Sequence, residues 1–177
     1  MIKLYIDFDG VILDTAKKFE FLLNSGMIPR EDKKAVLEFF TNIDWPNLIR
    51  NTNQINNSID KIKLLDKSNL YDIAILTHVL SLEEANAKIR YLDKELPGIN
   101  VIPTHKSIKK NHQVDAYGSI LVDDYLGNLI PWRDDGGFSI KFADHISTNE
   151  FITIDNLEEL ITLYPKIKSK VLKKCQE

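Results

Sequence analysis

Asp7 and Asp9 stand one residue apart at the end of the apolar run in LYIDFDGVILDT, residues 4–15. Residues two apart on a strand share a face, so both carboxylates aim at one spot and repel each other there. Further along, Thr77 closes the apolar stretch IAILTH, and Asp123 and Asp124 close SILVDDY. Lys106, Lys109 and Lys110 follow a third apolar run. Several carboxylates at one place are unstable without a divalent cation among them, and oxygen ligands alone favour a hard ion such as Mg²⁺. One carboxylate of such a group can attack phosphorus to give an aspartyl phosphate. A second acid can protonate the leaving oxygen and then activate water. A hydroxyl and a lysine would hold the phosphoryl oxygens and offset their charge. Together these residue types point to phosphoryl transfer.

The residues can act together only if their strand ends meet at one rim, and the rest of the chain predicts that they do. Short apolar runs alternate with longer helical stretches, the pattern of βα units on a parallel sheet. Predicted strands are Ile2–Phe8, Ile73–Thr77, Ile99–Pro103, Ser119–Asp123 and Phe138–Phe142, with a further short one at Phe151–Ile154. Leu82–Leu96 and Leu157–Leu172 read as amphipathic helices, the first with Ser81 as N-cap, Glu84 at capping-box spacing and Pro97-Gly98 as its stop. From about Lys17 to Asn69 the segments FEFLLN, EDKKAVLEFF and INNSIDKIKLLDKS have helical periodicity and no convincing strand. The expected organisation is an α/β, Rossmann-like core from residues 1–16 and 70–177, with a small helical cap, 17–69, inserted after the first strand. Ligands of open parallel sheets bind at the C-terminal strand ends, where the acids, Thr77 and the lysines fall.

The bulk properties narrow the setting. The chain has 177 residues, enough for one domain with an insertion that buries a core without staples. A net charge of −3 gives no electrostatic footprint for duplex nucleic acid. No apolar stretch approaches a membrane span, and Lys3 leads directly into folded-looking sequence rather than a signal peptide. The lone cysteine, Cys175, cannot build a disulfide framework, which fits a reducing compartment. The expected partner is a small phosphorylated molecule, and the expected location is cytoplasmic.

The motifs in their order resemble the haloacid dehalogenase (HAD) superfamily of phosphohydrolases over nearly the whole chain. DFDGVILDT is similar to its first motif, ILTH to its second and ILVDD to its fourth. The resemblance implies Asp7 as nucleophile and Asp9 as general acid and base, with the Asp9 backbone carbonyl also on Mg²⁺. It implies Thr77 as a phosphoryl ligand and Asp7, Asp9 and Asp123 or Asp124 as the metal site. For the third motif THKSIKKNHQV offers three lysines. Lys110 is favoured because nucleotidase-like members place the lysine a few residues before an apolar helix position, here Val114; Lys109 and then Lys106 follow. DDYLGNLIPWRDDGGFSIKF, residues 123–142, resembles the 5′-nucleotidase/deoxyribonucleotidase-like branch. That implies a nucleoside 5′-monophosphate as substrate.

Each residue also has a plainer reading. An Asp at a strand end is most often a turn or cap residue, and the lysines could be solvated helix surface. His78 could line the phosphate pocket or make a structural hydrogen bond, and His105, His112 and His145 show no metal-ligand spacing. Asp14 reads as a local cap. Phe19, Phe39, Phe40 and Trp45 could close over a substrate or form a small core. Arg30 and Arg50 are the only basic residues of the insertion suited to a second phosphate. Among rival functions, a sugar-phosphate phosphatase is nearest. A dehalogenase would not need Asp9. A receiver-like phosphate switch would place its acid pair elsewhere and carry no helical insertion.

Overall fold

The computed structural model describes residues 1–26, 31–144 and 150–174, with side chains up to 171. Arg30, His145 and Cys175 lie outside the described residues. Strand β1 (Ile2–Ile6) is followed by helices α1 (Thr15–Asn24), α2 (Lys33–Asn42), α3 (Trp45–Arg50) and α4 (Ser58–Lys67). The chain then alternates through β2 (Tyr71–Val79), α5 (Leu82–Glu95), β3 (Asn100–His105), α6 (Lys110–Gln113), β4 (Ile120–Asp123), α7 (Leu126–Asp134) and β5 (Phe138–Phe142). It ends in β6 (Ile152–Ile154) and α8 (Glu159–Lys174).

The six strands form one sheet in the order β3-β2-β1-β4-β5-β6, every pair parallel. β1 is therefore central, with β2 and β4 on either side. Its neighbours fix it in register, with Leu4 opposite Ile73 of β2 and Ile120 of β4. Side-chain alternation divides the core between the two faces. Leu4, Ile6, Ile73, Ile75, Ile120 and Val122 join one cluster, and Tyr5, Ala74, Leu76 and Leu121 join the other. A strand covered on both faces reads as a continuous apolar run, which is why these strands were legible.

The first face is covered by Ala87 and Leu92 of α5, by α4 and by Leu160, Ile167 and Val171 of α8. The second is closed by Leu129 and Trp132 of α7, with the Trp132 ring edge-on to Tyr5 at 5.3 Å. Gly137 marks that close approach, since a Cβ there would lie 2.3 Å from the indole. The helices between β1 and β2 do not pack alike. Trp45, Leu48 and Ile49 of α3 and Ile59, Ile62 and Leu65 of α4 are buried in the main core, whereas α2 has no buried residue and α1 only Thr15. Among the described residues no helix is long and apolar enough to cross a membrane.

Candidate active site

β1 delivers the first acids through a tight turn. The Asp7 amide still donates to Val122 of the neighbouring strand, and then the Phe8 carbonyl accepts from Ile12 and Leu13. Gly10 sits in that turn at φ +73°, and a Cβ on it would lie 2.2 Å from Asp124 Oδ2. Only glycine permits both the backbone angle and this approach. The turn thus lets the Asp124 carboxylate lie against the end of β1, beside Asp7.

Asp7, Thr77, Lys110 and Asp123 are all buried at the ends of β1, β2 and β4 and the start of α6. Lys110 Nζ bridges Asp7 Oδ1 and Asp123 Oδ2, both at 2.7 Å. Asp7 Oδ1 also accepts from the Phe8 amide at 2.7 Å. Asp123 is further held by the Tyr125 amide on Oδ1 and the Asn128 amide group on Oδ2. Of the three lysines after β3, only Lys110 turns inward; Lys106 and Lys109 are exposed along the cleft wall.

Carboxylate oxygens of Asp7, Asp123 and Asp124 lie within 4.8 Å of one another. Burial, followed by the nearby Asp123 and Asp9, outweighs Lys110 and raises the Asp7 carboxyl well above the usual range. Asp124 opens onto the cleft, yet loss of hydration there and the adjacent Asp123 push its carboxyl to about 6. Crowded oxygens that resist ionisation are the donor set a hard divalent cation would relieve. The residues fit Mg²⁺. Asp123 has both oxygens engaged by donors, so Asp124 is the freer of the adjacent pair.

Asp9 turns elsewhere. Its Oδ1 accepts from the Thr15 hydroxyl at 2.9 Å, and its Oδ2 receives Lys88 Nζ at 2.6 Å. Sequence reasoning missed Lys88, which lies in the middle of α5 and is fully buried. It also pairs with Glu84 Oε1 at 2.7 Å and donates to the Thr77 hydroxyl at 3.1 Å and the His78 carbonyl at 2.9 Å. Burial alone would lower the lysine, but Asp9 and Glu84 outweigh it and the ammonium is held charged. A signal was present: Glu84, Lys88 and Leu92 fall on one helical stripe, and all are buried. Glu84 also departs from the expected capping box. Its amide donates to Ser81 Oγ, but its carboxylate takes the Leu80 amide, one residue before the cap.

Above these groups opens a cleft of about 620 Å³. Its floor includes Asp7, Asp9 and Asp124, and its upper wall includes Phe19, Phe40 and Trp45. The rings of Phe40 and Trp45 meet Phe19 edge-on at 4.8 and 5.9 Å. They form a small cluster and line the cleft at once, so the two readings of the aromatics are not exclusive. His78 likewise faces the cleft while its Nε2–H donates to the Ile108 carbonyl at 3.0 Å, and burial, aided by Lys110, lowers its pKa. Asp14 precedes α1 without a side-chain capping bond and pairs with Lys17 instead.

No family model and no curated protein matches the sequence. Solved structures do resemble the fold. A hydrolase from Pseudomonas syringae aligns over 94% of this chain and 99% of its own, with TM-score 0.62 and 12% identity. A haloacid dehalogenase-like family hydrolase from Xanthomonas campestris aligns over 97% and 98%, with TM-score 0.62 and 11% identity. D,D-heptose 1,7-bisphosphate phosphatase from B. bronchiseptica, solved with magnesium and phosphate, aligns over 96% and 99%, with TM-score 0.52 and 13% identity. At these identities the likeness is one of fold: the parallel six-stranded sheet with flanking helices is that of the haloacid dehalogenase-like hydrolases.

Proposed function

We propose that the chain is a Mg²⁺-dependent phosphatase acting on a small phosphomonoester, with a nucleoside 5′-monophosphate as the preferred class. The observation that carries this reading is the Lys110 bridge between Asp7 and Asp123, with Asp124 alongside. Lys110 and the Phe8 amide both engage Asp7 Oδ1, and Oδ2 takes no hydrogen bond among the described residues, which suits it to attack. A structural neighbour solved with magnesium and phosphate lends support.

Asp7 Oδ2 attacks phosphorus in line, and the bond to the leaving oxygen breaks as that oxygen takes a proton from Asp9. Asp9 then removes a proton from water, whose oxygen attacks the acyl phosphate and frees inorganic phosphate and Asp7. Thr77 and Lys110 hold phosphoryl oxygens through both steps. Asp7, Asp124 and Asp123, with the Asp9 carbonyl, would hold Mg²⁺, which supplies charge neutralisation when bound. The aromatic wall of Phe19, Phe40 and Trp45 supports a flat leaving group such as a nucleoside, since a base can stack there. A single cysteine and the charge balance support a cytoplasmic setting.

The test is phosphate release from 5′- and 3′-nucleotides, sugar phosphates and an aryl phosphate, with Mg²⁺ and with chelator. Metal-dependent release fastest on 5′-nucleotides is expected. Release from sugar phosphates alone would keep the mechanism and discard the nucleotide, and no release from any ester would discard the phosphatase.

A further inference from the structure

We propose that Lys88 is a positioning residue for proton transfer: clamped by Glu84, it fixes the Asp9 carboxylate in the orientation from which Asp9 serves the leaving oxygen. The inference rests on the phosphatase reading and concerns how the acid is held.

A buried ammonium between two carboxylates needs a reason. Packing alone would be served as well by a methionine, since replacing a buried ion pair with apolar residues of like volume is often neutral or stabilising. The geometry supplies the reason. The terminal torsion of an Asp side chain is broad and roughly two-fold, so one hydrogen bond leaves the carboxylate free to swing. Thr15 on Oδ1 and Lys88 on Oδ2 together hold both oxygens.

Lys88 is itself well anchored. Glu84 grips it from one turn earlier on α5, and Glu84 is in turn fixed by the Leu80 amide. The His78 carbonyl and the Thr77 hydroxyl reference Nζ to the end of β2. Asp9 is thereby set relative to Thr77, the residue expected to hold the phosphoryl group. The rings of Phe8 and Trp45, centred 5.2 and 5.8 Å from Nζ, keep water from loosening the clamp and favour the cation. Glu84, Thr77 and the His78 carbonyl do not change during the reaction, so Lys88 stays seated through both steps.

Misplacing a general acid has a selective consequence. An alkyl leaving group needs a proton as its bond to phosphorus breaks, whereas a nitrophenolate leaves without one. The experiment compares wild type, Lys88→Met and Lys88→Met/Glu84→Gln on an alkyl phosphate and on p-nitrophenyl phosphate with Mg²⁺. The double variant removes both buried charges, so it reads the effect without stranding Glu84. We expect kcat/KM for the alkyl ester to fall roughly a hundredfold, and for the aryl ester by less than about tenfold. kcat on the aryl ester should also fall, because Asp9 is needed to activate water. The acyl phosphate on Asp7 should then accumulate, visible as an added phosphoryl group in the intact protein mass. Equal losses on both esters, no loss at all, or failure of both variants to fold would overturn the proposal and leave Lys88 a structural residue. An inactive wild type would overturn the phosphatase reading and this one with it, whereas an active wild type with non-selective variants overturns this one alone.

Discussion

Lys110 and Lys88 both lie at 1% exposure between two carboxylates, yet their surroundings differ. Lys110 joins Asp7 and Asp123, which come from neighbouring strands far apart in sequence. Lys88 joins Asp9, whose side chain is 30% exposed, to Glu84 one turn away on its own helix. In both, burial works against the ammonium and the acids outweigh it. The difference lies in what each charge restrains. Lys110 keeps two buried aspartates from facing each other bare across the sheet. Lys88 restrains an acid that already has access to water. On the proposed mechanism the Lys110 side would therefore carry both stability and the attacking group, and the Lys88 side alignment.

Asp7→Asn is the largest expected break in that scheme. An amide cannot attack phosphorus, so turnover should fall by roughly four orders of magnitude or more. The fold should survive, because burial already disfavours the ionised Asp7. Phosphate release and thermal unfolding on the same sample decide it; retained activity would take the nucleophile away from the Lys110 side.

Lys110→Ala comes next. It leaves Asp7 and Asp123 buried without their shared cation, a change that costs about 3–5 kcal/mol when a buried pair loses one partner. A large drop in denaturation midpoint should accompany a loss of at least about a hundredfold in kcat/KM. Lys109→Ala should change either quantity only slightly, since its side chain lies exposed on the cleft wall. The reverse ranking would transfer the role by one residue.

The contrast also explains what was legible from residues alone. The central strands stood out because both faces of the sheet are covered there, and Asp7, Asp9, Thr77 and Asp123-Asp124 fell at strand ends in order. Lys110 stands out from Lys106 and Lys109 only through the resemblance, which places the lysine a few residues before an apolar helix position, here Val114. Lys88 offered no such address. A lysine four residues after a glutamate reads as a solvated surface pair, and only the burial of the Glu84–Leu92 stripe turns it inward. For the helical insertion the same limit applies. Periodicity marks helices but not what they pack against, so α3 and α4 could not be told from α1 and α2 before the core was assembled.

Gly10→Ala tests the seam between the two sides. A methyl group there would meet Asp124 Oδ2 at 2.2 Å and adopt φ +73°, so the turn or Asp124 must move. We expect a loss of about 1–2 kcal/mol in stability and a weaker response to Mg²⁺, read as a higher metal concentration for half-maximal activity. An unchanged metal requirement would show that Asp124 need not sit against the turn.

The smallest effect asks whether the demand for a cation belongs to the Lys110 side alone. Asp124 has a folded pKa of about 6, raised by lost hydration and by Asp123, against an unfolded value of about 3.9. Between these values the folded chain binds more protons at this site than the unfolded chain, so this contribution lowers stability as pH rises from about 4 to 6. The raised Asp7 carboxyl acts with the same sign. A cation among Asp7, Asp123 and Asp124 would cancel the penalty, and most completely above pH 6. Thermal unfolding across this range, with chelator and with Mg²⁺, should show metal stabilisation that grows with pH. Asp124→Asn should remove much of that growth. Asp9→Asn should leave it in place, because the Asp9 carboxylate is turned to Thr15 and Lys88 and its backbone carbonyl survives the change. If Asp9→Asn abolished the metal response and Asp124→Asn did not, the cation would have to sit on the Lys88 side, and the division between the two lysines would be redrawn.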